Sequence, residues 1–255
     1  MRLDGRKHQT GPVESGIREA ISDRGCVHLA LLDPEKPVDK LPQVLQDLES
    51  MGSVAVMIGG STVRSSAQLD RMVETVKNSC HLPAILFPNN ESGISRRADA
   101  IFFMSLLNSL NPRYLIGAQA KGAPAVKAFG IEPIPLGYIV VGPSNTAVST
   151  IGEVERVPYS KPEIAVNYAL AGQYLGMRFV YLEAGSGARE PVDAEMIRRV
   201  SSTIDIPVIV GGGIRTGSQA ELIAKSGASA IVTGTVLEKE GTEPVKRIIS
   251  AIRRA

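Results

Sequence analysis

Two short stretches near the end of the chain decide the fold: IPVIVGGGIR at residues 206–215 and AIVTGT at residues 230–235. Each is a run rich in β-branched residues that stops at glycines and is followed by a segment with helical periodicity. Glycine lets the backbone approach an anion closely, and a helix that begins just beyond it presents free N–H groups and the positive end of its dipole. Two such turns in consecutive β–α units predict a phosphate-binding cup, which usually follows the last two strands of an eight-fold β/α barrel.

Length and composition fit one such barrel. The chain has 255 residues, and a barrel of this kind typically needs roughly 250. A hydrophobic fraction of 44% with 21% charged residues describes an ordinary globular chain that can bury a large core. No linker-like or low-complexity stretch interrupts the alternation of strands and helices. We therefore predict a single domain over residues 1–255, in which residues 1–25 close the bottom of the barrel.

Charge, cysteines and apolar runs indicate the compartment and exclude some partners. A formal net charge of +2 with 4% aromatic residues gives no basic surface for nucleic acid. Cys26 and Cys80 lie far apart without metal-ligand companions, which favours a reduced chain. The opening stretch MRLDGRKHQT is charged where a signal peptide needs an apolar core, and the longest apolar run, IFFMSLL, is far short of the ~20 residues that span a bilayer. We expect a cytoplasmic protein with no transmembrane span.

The pattern predicts eight strands in an α/β fold, each followed by a turn of small or polar residues. The predicted strands are residues 27–33, 54–58, 84–87, 100–104, 134–141, 178–183, 208–210 and 230–233. Helices are predicted at residues 38–51, 65–78, 111–129 with a break near 122–124, 162–175, 191–203, 218–226 and 243–254, besides a short one within residues 11–25.

The link between the third and fourth strands is unusually short. PNNESGISRRAD, residues 88–99, has twelve residues, which is about the minimum for a whole β–α–β crossover. We therefore expect the helix after the third strand to be missing or reduced. The gap would expose an apolar flank of the barrel unless something covers it. A lipid tail and a second subunit both fit that position, and we expect a homo-oligomer.

Polar residues stand at the carboxyl ends of several strands, where barrel enzymes carry their active sites. Asp33 ends the first strand, and Ser61 and Thr62 follow the glycines after the second. Glu183 ends the sixth strand and precedes a Gly-Ser-Gly turn, so it combines a possible base with backbone donors for an anion. Asp33 could instead be a turn or cap carboxylate, and Glu183 could bind a substrate hydroxyl without acting as a base.

Several of these segments together carry a family resemblance. The chain resembles the geranylgeranylglyceryl phosphate synthases over nearly the whole barrel, in LLDPEKP (residues 31–37), IGGST (58–62), LFPNNESGIS (86–95), GYIVVGP (137–143), YLEAGSGA (181–188), VGGGIR (210–215) and VTGT (232–235). One glycine turn is weak evidence, but YLEAGSG in register with LLDPEK is specific. The resemblance implies a (β/α)8 TIM barrel and a Mg²⁺-dependent prenyltransferase. In that reaction the C3 hydroxyl of sn-glycerol 1-phosphate attacks C1 of geranylgeranyl diphosphate, which releases diphosphate and forms the first ether bond of an archaeal-type membrane lipid.

The resemblance also implies roles for single residues. Asp33 and Ser61 would hold Mg²⁺, with Thr62 as the competitor for Ser61, because hard oxygen ligands suit this ion. Glu183 would be the base for the attacking hydroxyl, and Tyr138 would line the site or face the forming carbocation, unless it is a core tyrosine. The implied site for sn-glycerol 1-phosphate consists of Tyr181, Leu182, Glu183, Ala184, Gly185, Ser186, Gly187, Gly212, Gly213, Gly234 and Thr235.

One departure and two alternatives accompany this hypothesis. The related bacterial enzymes that make heptaprenylglyceryl phosphate have a Lys two residues before the metal-binding Asp, where this chain has Leu31. Phosphate binding then depends more on backbone donors, and Arg215 either assists or is a surface charge. The alternatives are a sugar-phosphate isomerase or lyase of histidine or tryptophan biosynthesis, and a non-catalytic phosphate-binding scaffold. The three histidines show no metal-ligand spacing and are assigned no chemistry.

Overall fold

The computed structural model describes residues 10–60, 65–253 and 255. Its eight parallel strands pair in chain order and close into a barrel, with the last strand hydrogen-bonded to the first. This confirms the predicted TIM barrel. The strands are β1 (Val27–Leu32), β2 (Ala55–Ile58), β3 (Ala84–Leu86), β4 (Ala100–Leu106), β5 (Glu132–Val140), β6 (Phe179–Glu183), β7 (Val208–Gly211) and β8 (Ala230–Thr233).

Helices follow most strands and form the outer layer. Several begin where the sequence supplies a cap or a proline, such as Thr216 before α8 and Pro162 at the start of α6. The helices are α1 (Pro12–Arg24), α2 (Leu41–Met51), α3 (Ser66–Ser79), α4 (Ala118–Phe129), α5 (Ala147–Ile151), α6 (Pro162–Tyr174), α7 (Ala194–Ser201), α8 (Gly217–Lys225), α9 (Thr235–Glu240) and α10 (Thr242–Ile252). No helix of the described residues is both long and apolar enough to cross a membrane.

Two apolar layers hold the barrel together. One fills its interior with side chains such as Phe102, Phe179 and Ile85, and the other packs the outer faces of the strands against the helices. The alternation of side chains along each strand produces both layers at once, because successive residues point to opposite faces. Strands buried on both faces read as nearly continuous runs of Val, Ile and Leu, which is why the sequence shows them so plainly.

The first helix, α1, lies against the amino ends of the strands. Its Ile17 packs in the interior layer, and its first two backbone N–H groups, of Val13 and Glu14, donate to the Glu132 carboxylate at 2.8 and 2.9 Å. The Glu14 carboxylate is fully buried and pairs with Arg178 Nε at 2.6 Å. These contacts anchor α1 to the residues that begin β5 and precede β6.

No helix lies between β3 and β4, as the sequence predicts. Residues 87–99 are all described and form only turns and bends. The second half of the segment is held in place, since the Asp99 carboxylate accepts the N–H of Ala84 at 2.9 Å and Ser95 Oγ donates to Asp70 at 2.5 Å. Ile94 packs against α4, close enough that a Cβ added to Gly122 would lie 3.0 Å from its Cδ1. The outer ring is therefore open at this point.

Some helix boundaries differ from the prediction. The expected break near residues 122–124 is wrong, because α4 continues through Pro124 and the irregularity is instead a π-helical turn at Arg113–Gly117. Pro124 and Ala120, whose carbonyl loses its partner, are both exposed, so the freed carbonyl lies on the solvent side of the helix. The predicted start of a helix at residue 191 is also wrong: the Asp193 side chain caps α7, which begins at Ala194. The short helices α5 and α9 were not predicted.

His28 is buried on β1 and is satisfied by two hydroxyl groups. Its Nδ1 lies 2.8 Å from Ser53 Oγ and its Nε2 lies 2.8 Å from Thr233 Oγ1. Burial lowers the pKa of His28 to about 3, because the imidazolium form would lose its hydration. The ring is therefore neutral at physiological pH and links β1 to β8 and to Ser53, two residues before β2.

Candidate active site

A cavity of about 330 Å³ lies at the carboxyl ends of the strands. One end is formed by the glycine turns after β6, β7 and β8, and the other by apolar side chains near the gap between β3 and β4. Glu183 and Tyr138 line the region of the cavity that belongs to β5 and β6. A cavity with polar lining on one side and apolar lining on the other suits a ligand that has both characters.

The polar end is a cup built from glycine turns whose backbone conformation strains residues with a side chain. Gly185, Gly187, Gly212 and Gly213 all have positive φ, between 73° and 104°. A Cβ added to Gly212 would lie 2.6 Å from the Gly185 nitrogen, and one added to Gly213 would lie 2.5 Å from the Glu190 carbonyl oxygen. The turns after β6 and β7 are therefore in direct backbone contact, and together they make a concave surface of peptide groups.

The start of α9 joins this cup from β8. Ser186 Oγ and Thr235 Oγ1 are 3.1 Å apart, which links the turn after β6 to the first residue of α9. Gly234 is the N-cap of α9 and supplies no side-chain hydrogen bond. The start of α8 differs from the expectation, since Thr216 Oγ1 accepts the N–H of Gln219 at 3.2 Å. The glycine turn before α8, rather than its first helical turn, supplies the donors on that side.

Glu183 is a buried carboxylate at the end of β6. Its Oε2 accepts a hydrogen bond from Tyr138 Oη at 3.1 Å, and its Oε1 accepts the N–H of Gly185 at 2.5 Å. Burial raises the pKa of Glu183, and the hydrogen bonds from Gly185, Tyr138 and Tyr181 only partly oppose that rise. A carboxylate with a raised pKa is a stronger base than one in water, so the site is suited to proton removal.

Three aromatic rings pack together in the cavity, and two of them, Tyr138 and Tyr181, carry the hydroxyls that hydrogen-bond this carboxylate. The ring centroids of Tyr138 and Tyr181 are 5.0 Å apart, and that of Phe87 lies 5.6 Å and 5.7 Å from them, respectively. Burial, together with the negative charge of Glu183, raises the pKa of Tyr138 well above its usual value, so its hydroxyl stays a donor. Tyr138 thus lines the cavity and also belongs to the interior apolar layer. The sequence had offered these as alternatives, a site residue or a core tyrosine, and the structure shows both.

Asp33 stands across the mouth at the end of β1. It is buried, and its Oδ1 accepts the N–H of Glu35 at 3.0 Å. Gly60, at the end of the turn after β2, comes so close that an added Cβ would lie 2.4 Å from Asp33 Oδ2. Ser61 and Thr62 come directly after Gly60 but lie outside the described residues. Within the described ranges, no group of three or more His, Cys, Asp and Glu side chains could hold a metal ion.

Lys36 is a residue that the sequence did not single out. Its Nζ lies 2.8 Å from Glu238 Oε2 on α9 and 3.6 Å from Asp33 Oδ2. Glu238 is distant in sequence, and no motif connects the two segments. Burial alone would lower the pKa of Lys36, but the two carboxylates outweigh it and raise the pKa. The side chain therefore stays positively charged beside Asp33.

Most of the residues implied for sn-glycerol 1-phosphate line the cavity, but three do not. Leu182 and Ala184 point into the outer apolar layer. The N–H groups of Ala184 and Gly185 are already bonded, to the Gly211 carbonyl at 3.0 Å and to Glu183 at 2.5 Å. The structure brings together in the lining Tyr181, Glu183, Ser186, Gly187, Gly212, Gly213, Gly234 and Thr235.

Arg215 holds the cup rather than filling it. Its guanidinium donates to the carbonyl oxygens of Arg189 at 2.8 Å and Ala188 at 2.5 Å. These carbonyls belong to the loop after β6, whereas Arg215 follows the glycines after β7. Arg215 therefore ties the two loops together, a role the sequence left open between phosphate binding and a plain surface charge.

The apolar end of the cavity lies where the outer ring is open. Ile94 comes from the segment that replaces the missing helix, Tyr114 from the π-helical turn and Ile151 from α5. A short link in the sequence indicated the gap, but no signal indicated α5. The apolar lining comprises Phe87, Ile94, Ile101, Phe103, Met104, Leu106, Tyr114, Ala118, Val148 and Ile151.

Comparisons with known proteins agree with this geometry. The model of the PcrB family matches residues 18–254. A geranylgeranylglyceryl phosphate synthase of Pyrococcus horikoshii is 53% identical over 248 residues, which cover 95% of this chain and 96% of the relative. The geranylgeranylglyceryl phosphate synthase of Methanothrix thermoacetophila is 47% identical over 251 residues, which cover 97% of this chain and 98% of that relative. The crystal structure of (S)-3-O-geranylgeranylglyceryl phosphate synthase from Thermoplasma acidophilum in complex with substrate sn-glycerol-1-phosphate superposes with a TM-score of 0.90 at 40% identity, covering 97% of this chain and all of that one. The chain therefore belongs to the PcrB family and, within it, to the geranylgeranylglyceryl phosphate synthases.

Proposed function

We propose that this chain is a prenyltransferase that joins the C3 hydroxyl of sn-glycerol 1-phosphate to C1 of geranylgeranyl diphosphate. The products are 3-O-geranylgeranylglyceryl 1-phosphate and diphosphate, in the first ether-bond step of archaeal-type phospholipid synthesis. The observation that carries the proposal is one cavity with an anion cup at one end, a buried carboxylate in between and an apolar lining at the open flank. The names of the relatives support it, and one of them was solved with sn-glycerol 1-phosphate bound.

The cup would bind the phosphate of sn-glycerol 1-phosphate. Peptide N–H groups in glycine turns of positive φ form concave anion sites. The hydroxyls of Ser186 and Thr235 lie at the same place, and since one donates to the other, they leave one O–H for the phosphate. With the phosphate held there by the turns at Gly212, Gly213 and Gly234, the glycerol extends towards β6. The C3 hydroxyl then comes near Glu183.

Glu183 would act as the general base. Its carboxylate takes the proton of the C3 hydroxyl while the glycerol oxygen bonds to C1 of the prenyl group. The bond between C1 and the diphosphate oxygen breaks at the same stage, and its electron pair leaves with diphosphate. The Tyr138 hydroxyl keeps the carboxylate oriented through its hydrogen bond to Oε2. The aromatic faces nearby suit the positive charge that develops on the allylic carbon.

Asp33, with Ser61, would hold Mg²⁺. The donor set fits this ion, because a buried carboxylate and a hydroxyl are hard oxygen ligands that leave room for water and phosphate oxygens. When bound, Mg²⁺ neutralises charge that builds on a diphosphate leaving group. One oxygen of Asp33 is held by the N–H of Glu35, and the other lies against Gly60; both Asp33 and Gly60 line the cavity.

The apolar end would hold the prenyl tail. An open flank lined by Ile94, Met104 and Ile151 removes a long hydrocarbon from water, which is favourable in proportion to the apolar area covered. A sugar-phosphate isomerase or lyase has no use for such a lining, and a phosphate-binding scaffold needs no buried base. The cytoplasmic location and the homo-oligomer expected from the sequence remain predictions.

A turnover assay separates these functions. The purified chain is incubated with radiolabelled geranylgeranyl diphosphate and sn-glycerol 1-phosphate, with and without Mg²⁺, and the lipid fraction is analysed for the ether. We expect 3-O-geranylgeranylglyceryl 1-phosphate only when both substrates and Mg²⁺ are present, and much less with sn-glycerol 3-phosphate as the matched control. Absence of the ether with protein shown to be folded by thermal unfolding would contradict the proposed function.

A further inference from the structure

Lys36 is a charged residue of the cavity that the steps above leave unused. It lies three residues after Asp33, on the loop that follows β1. Its side chain is 48% exposed, whereas the two carboxylates it contacts, those of Asp33 and Glu238, are only 8% and 10% exposed. A cation with freedom to move therefore bridges two nearly buried anions at the mouth of the cavity.

The backbone beneath Lys36 is held by hydrogen bonds, whereas its side chain is half exposed. The N–H of Lys36 donates to the Asp33 carbonyl at 3.0 Å, and the N–H of Glu35 donates to the Asp33 side chain at 3.0 Å. These two bonds make a tight turn that sets where the lysine begins. Its four-carbon stem can then swing the ammonium group away from Glu238 without any change in the loop.

Other cations of the cavity are less well placed for an anion beside Asp33. Among the described residues that line the cavity, the basic ones are Lys36, Arg215 and Lys239. The guanidinium of Arg215 is engaged by the carbonyls of the loop after β6. Lys239 lies on α9 beside Glu238, and its side chain makes no ion pair with Asp33. Lys36 is thus the cation adjacent to the carboxylate implied to bind the metal.

We propose that Lys36 leaves Glu238 to bind the diphosphate of the prenyl substrate, a role that rests on the proposed prenyl transfer. Diphosphate carries several negative charges, and the half-exposed ammonium group of Lys36 exchanges one carboxylate partner, Glu238, for this more highly charged one. As the C1–oxygen bond breaks, the electron pair goes to the diphosphate oxygen, and the ammonium group of Lys36 donates a hydrogen bond to the leaving group. Lys36 keeps its proton, because the proton of the glycerol hydroxyl goes to Glu183.

Binding of inorganic diphosphate, measured by calorimetry without glycerol phosphate and both with and without Mg²⁺, tests this role. In Lys36→Met we expect affinity for diphosphate to fall about 10- to 100-fold, the loss typical of a hydrogen bond to a charged group. In Glu238→Gln we expect affinity to rise about two- to fivefold, because a competing carboxylate is removed. The matched control Lys239→Met removes one positive charge from the residue next to Glu238 and should change the affinity for diphosphate less than twofold.

Steady-state kinetics add a readout that a merely structural role would not move. Lys36→Met should raise KM for the prenyl diphosphate and lower kcat, while KM for sn-glycerol 1-phosphate stays within about twofold. Lys36→Arg keeps the charge and should restore most of the diphosphate affinity. Equal diphosphate affinity of Lys36→Met and the unmodified chain would overturn the proposal, as would a loss of affinity in Glu238→Gln that matches that of Lys36→Met.

The two proposals fail in different ways. If the unmodified chain makes the ether but Lys36→Met binds diphosphate normally, only the role of Lys36 is wrong. If the unmodified chain makes no ether, the prenyl transfer is wrong whatever the diphosphate affinities show. Thermal unfolding of each variant checks that the barrel is intact, since Lys36 also links the loop after β1 to α9.

Discussion

The substitution Tyr138→Phe tests whether Glu183 is the base of the reaction. It removes the hydroxyl that donates to Glu183 Oε2 at 3.1 Å and leaves the ring in place. That hydrogen bond lowers the pKa of Glu183, which burial has raised, so its loss moves the pKa further upward. A base must be deprotonated to act, so the acid limb of the pH profile should move to higher pH.

The size of the shift follows from the strength of one hydrogen bond. A bond to a charged group is worth about 1.5–3 kcal/mol, and one pKa unit corresponds to about 1.36 kcal/mol. Because Gly185 and Tyr181 still stabilise the carboxylate, the lower end applies, and we expect the limb to move up by about one pH unit. At pH values above the limb, kcat/KM should change much less than at its foot.

The assay is kcat/KM for sn-glycerol 1-phosphate, measured from about pH 5 to pH 9. Tyr159→Phe is the matched control, since it also removes a phenol hydroxyl, here of a half-buried side chain, that donates to the Pro191 carbonyl at 3.0 Å rather than to Glu183. Its acid limb should coincide with that of the unmodified chain. A limb that stays in place or moves down in Tyr138→Phe would refute the assignment of Glu183 as the titrating base.

Four further outcomes are expected. Glu183→Gln should lower kcat by about 10²- to 10⁴-fold while calorimetry still detects sn-glycerol 1-phosphate; near-normal turnover would exclude the base. Asp33→Asn should abolish the stimulation of turnover by Mg²⁺, and a Mg²⁺ titration like that of the unmodified chain would exclude Asp33 as a ligand. Gly212→Ala places a Cβ 2.6 Å from Glu183 Oε1 at a φ of +85° and should raise KM for sn-glycerol 1-phosphate at least about tenfold. The control is Gly176→Ala, whose φ is +92° and whose added Cβ would meet no neighbouring atom; it should lose about 1–2 kcal/mol of stability while KM stays unchanged. Because the pKa of His28 falls to about 3 on folding, the unfolded chain binds a proton between pH 6.5 and 3 that the folded chain does not. The free energy of unfolding, measured by denaturant titration, should therefore fall by about 3 kcal/mol from pH 6.5 to pH 4. His28→Gln should show a smaller fall, and an equal dependence of the free energy of unfolding on pH in both proteins would contradict the buried neutral ring.

Strands and the gap in the outer ring could be predicted because their signals are local. The glycines of IPVIVGGG predict the end of a strand, and β7 does end at the first of them, Gly211. A link of twelve residues between the third and fourth strands left too little chain for a helix, and residues 87–99 contain none. Helix ends were less predictable where a side chain decided them, as Asp193 does for α7.

Contacts within the candidate site could not be predicted, because they join residues far apart in the chain. Tyr138 and Glu183 lie on neighbouring strands, and only the pairing of β5 with β6 places the hydroxyl on the carboxylate. The bridge from Lys36 to Glu238 spans the barrel closure between the first and last units. The direction of each side chain could not be predicted from the motif alone. Leu182 belongs to the implied binding motif, but side chains alternate along β6, so Leu182 points into the outer apolar layer.

The most direct test of the account is a crystal structure with sn-glycerol 1-phosphate and an unreactive thiodiphosphate analogue of geranylgeranyl diphosphate. The account predicts the phosphate against the turns at Gly212, Gly213 and Gly234, the C3 hydroxyl within about 2.6–3.2 Å of Glu183, and the prenyl tail along Ile94 at the open flank. A phosphate bound elsewhere, or a tail outside the flank between β3 and β4, would contradict it.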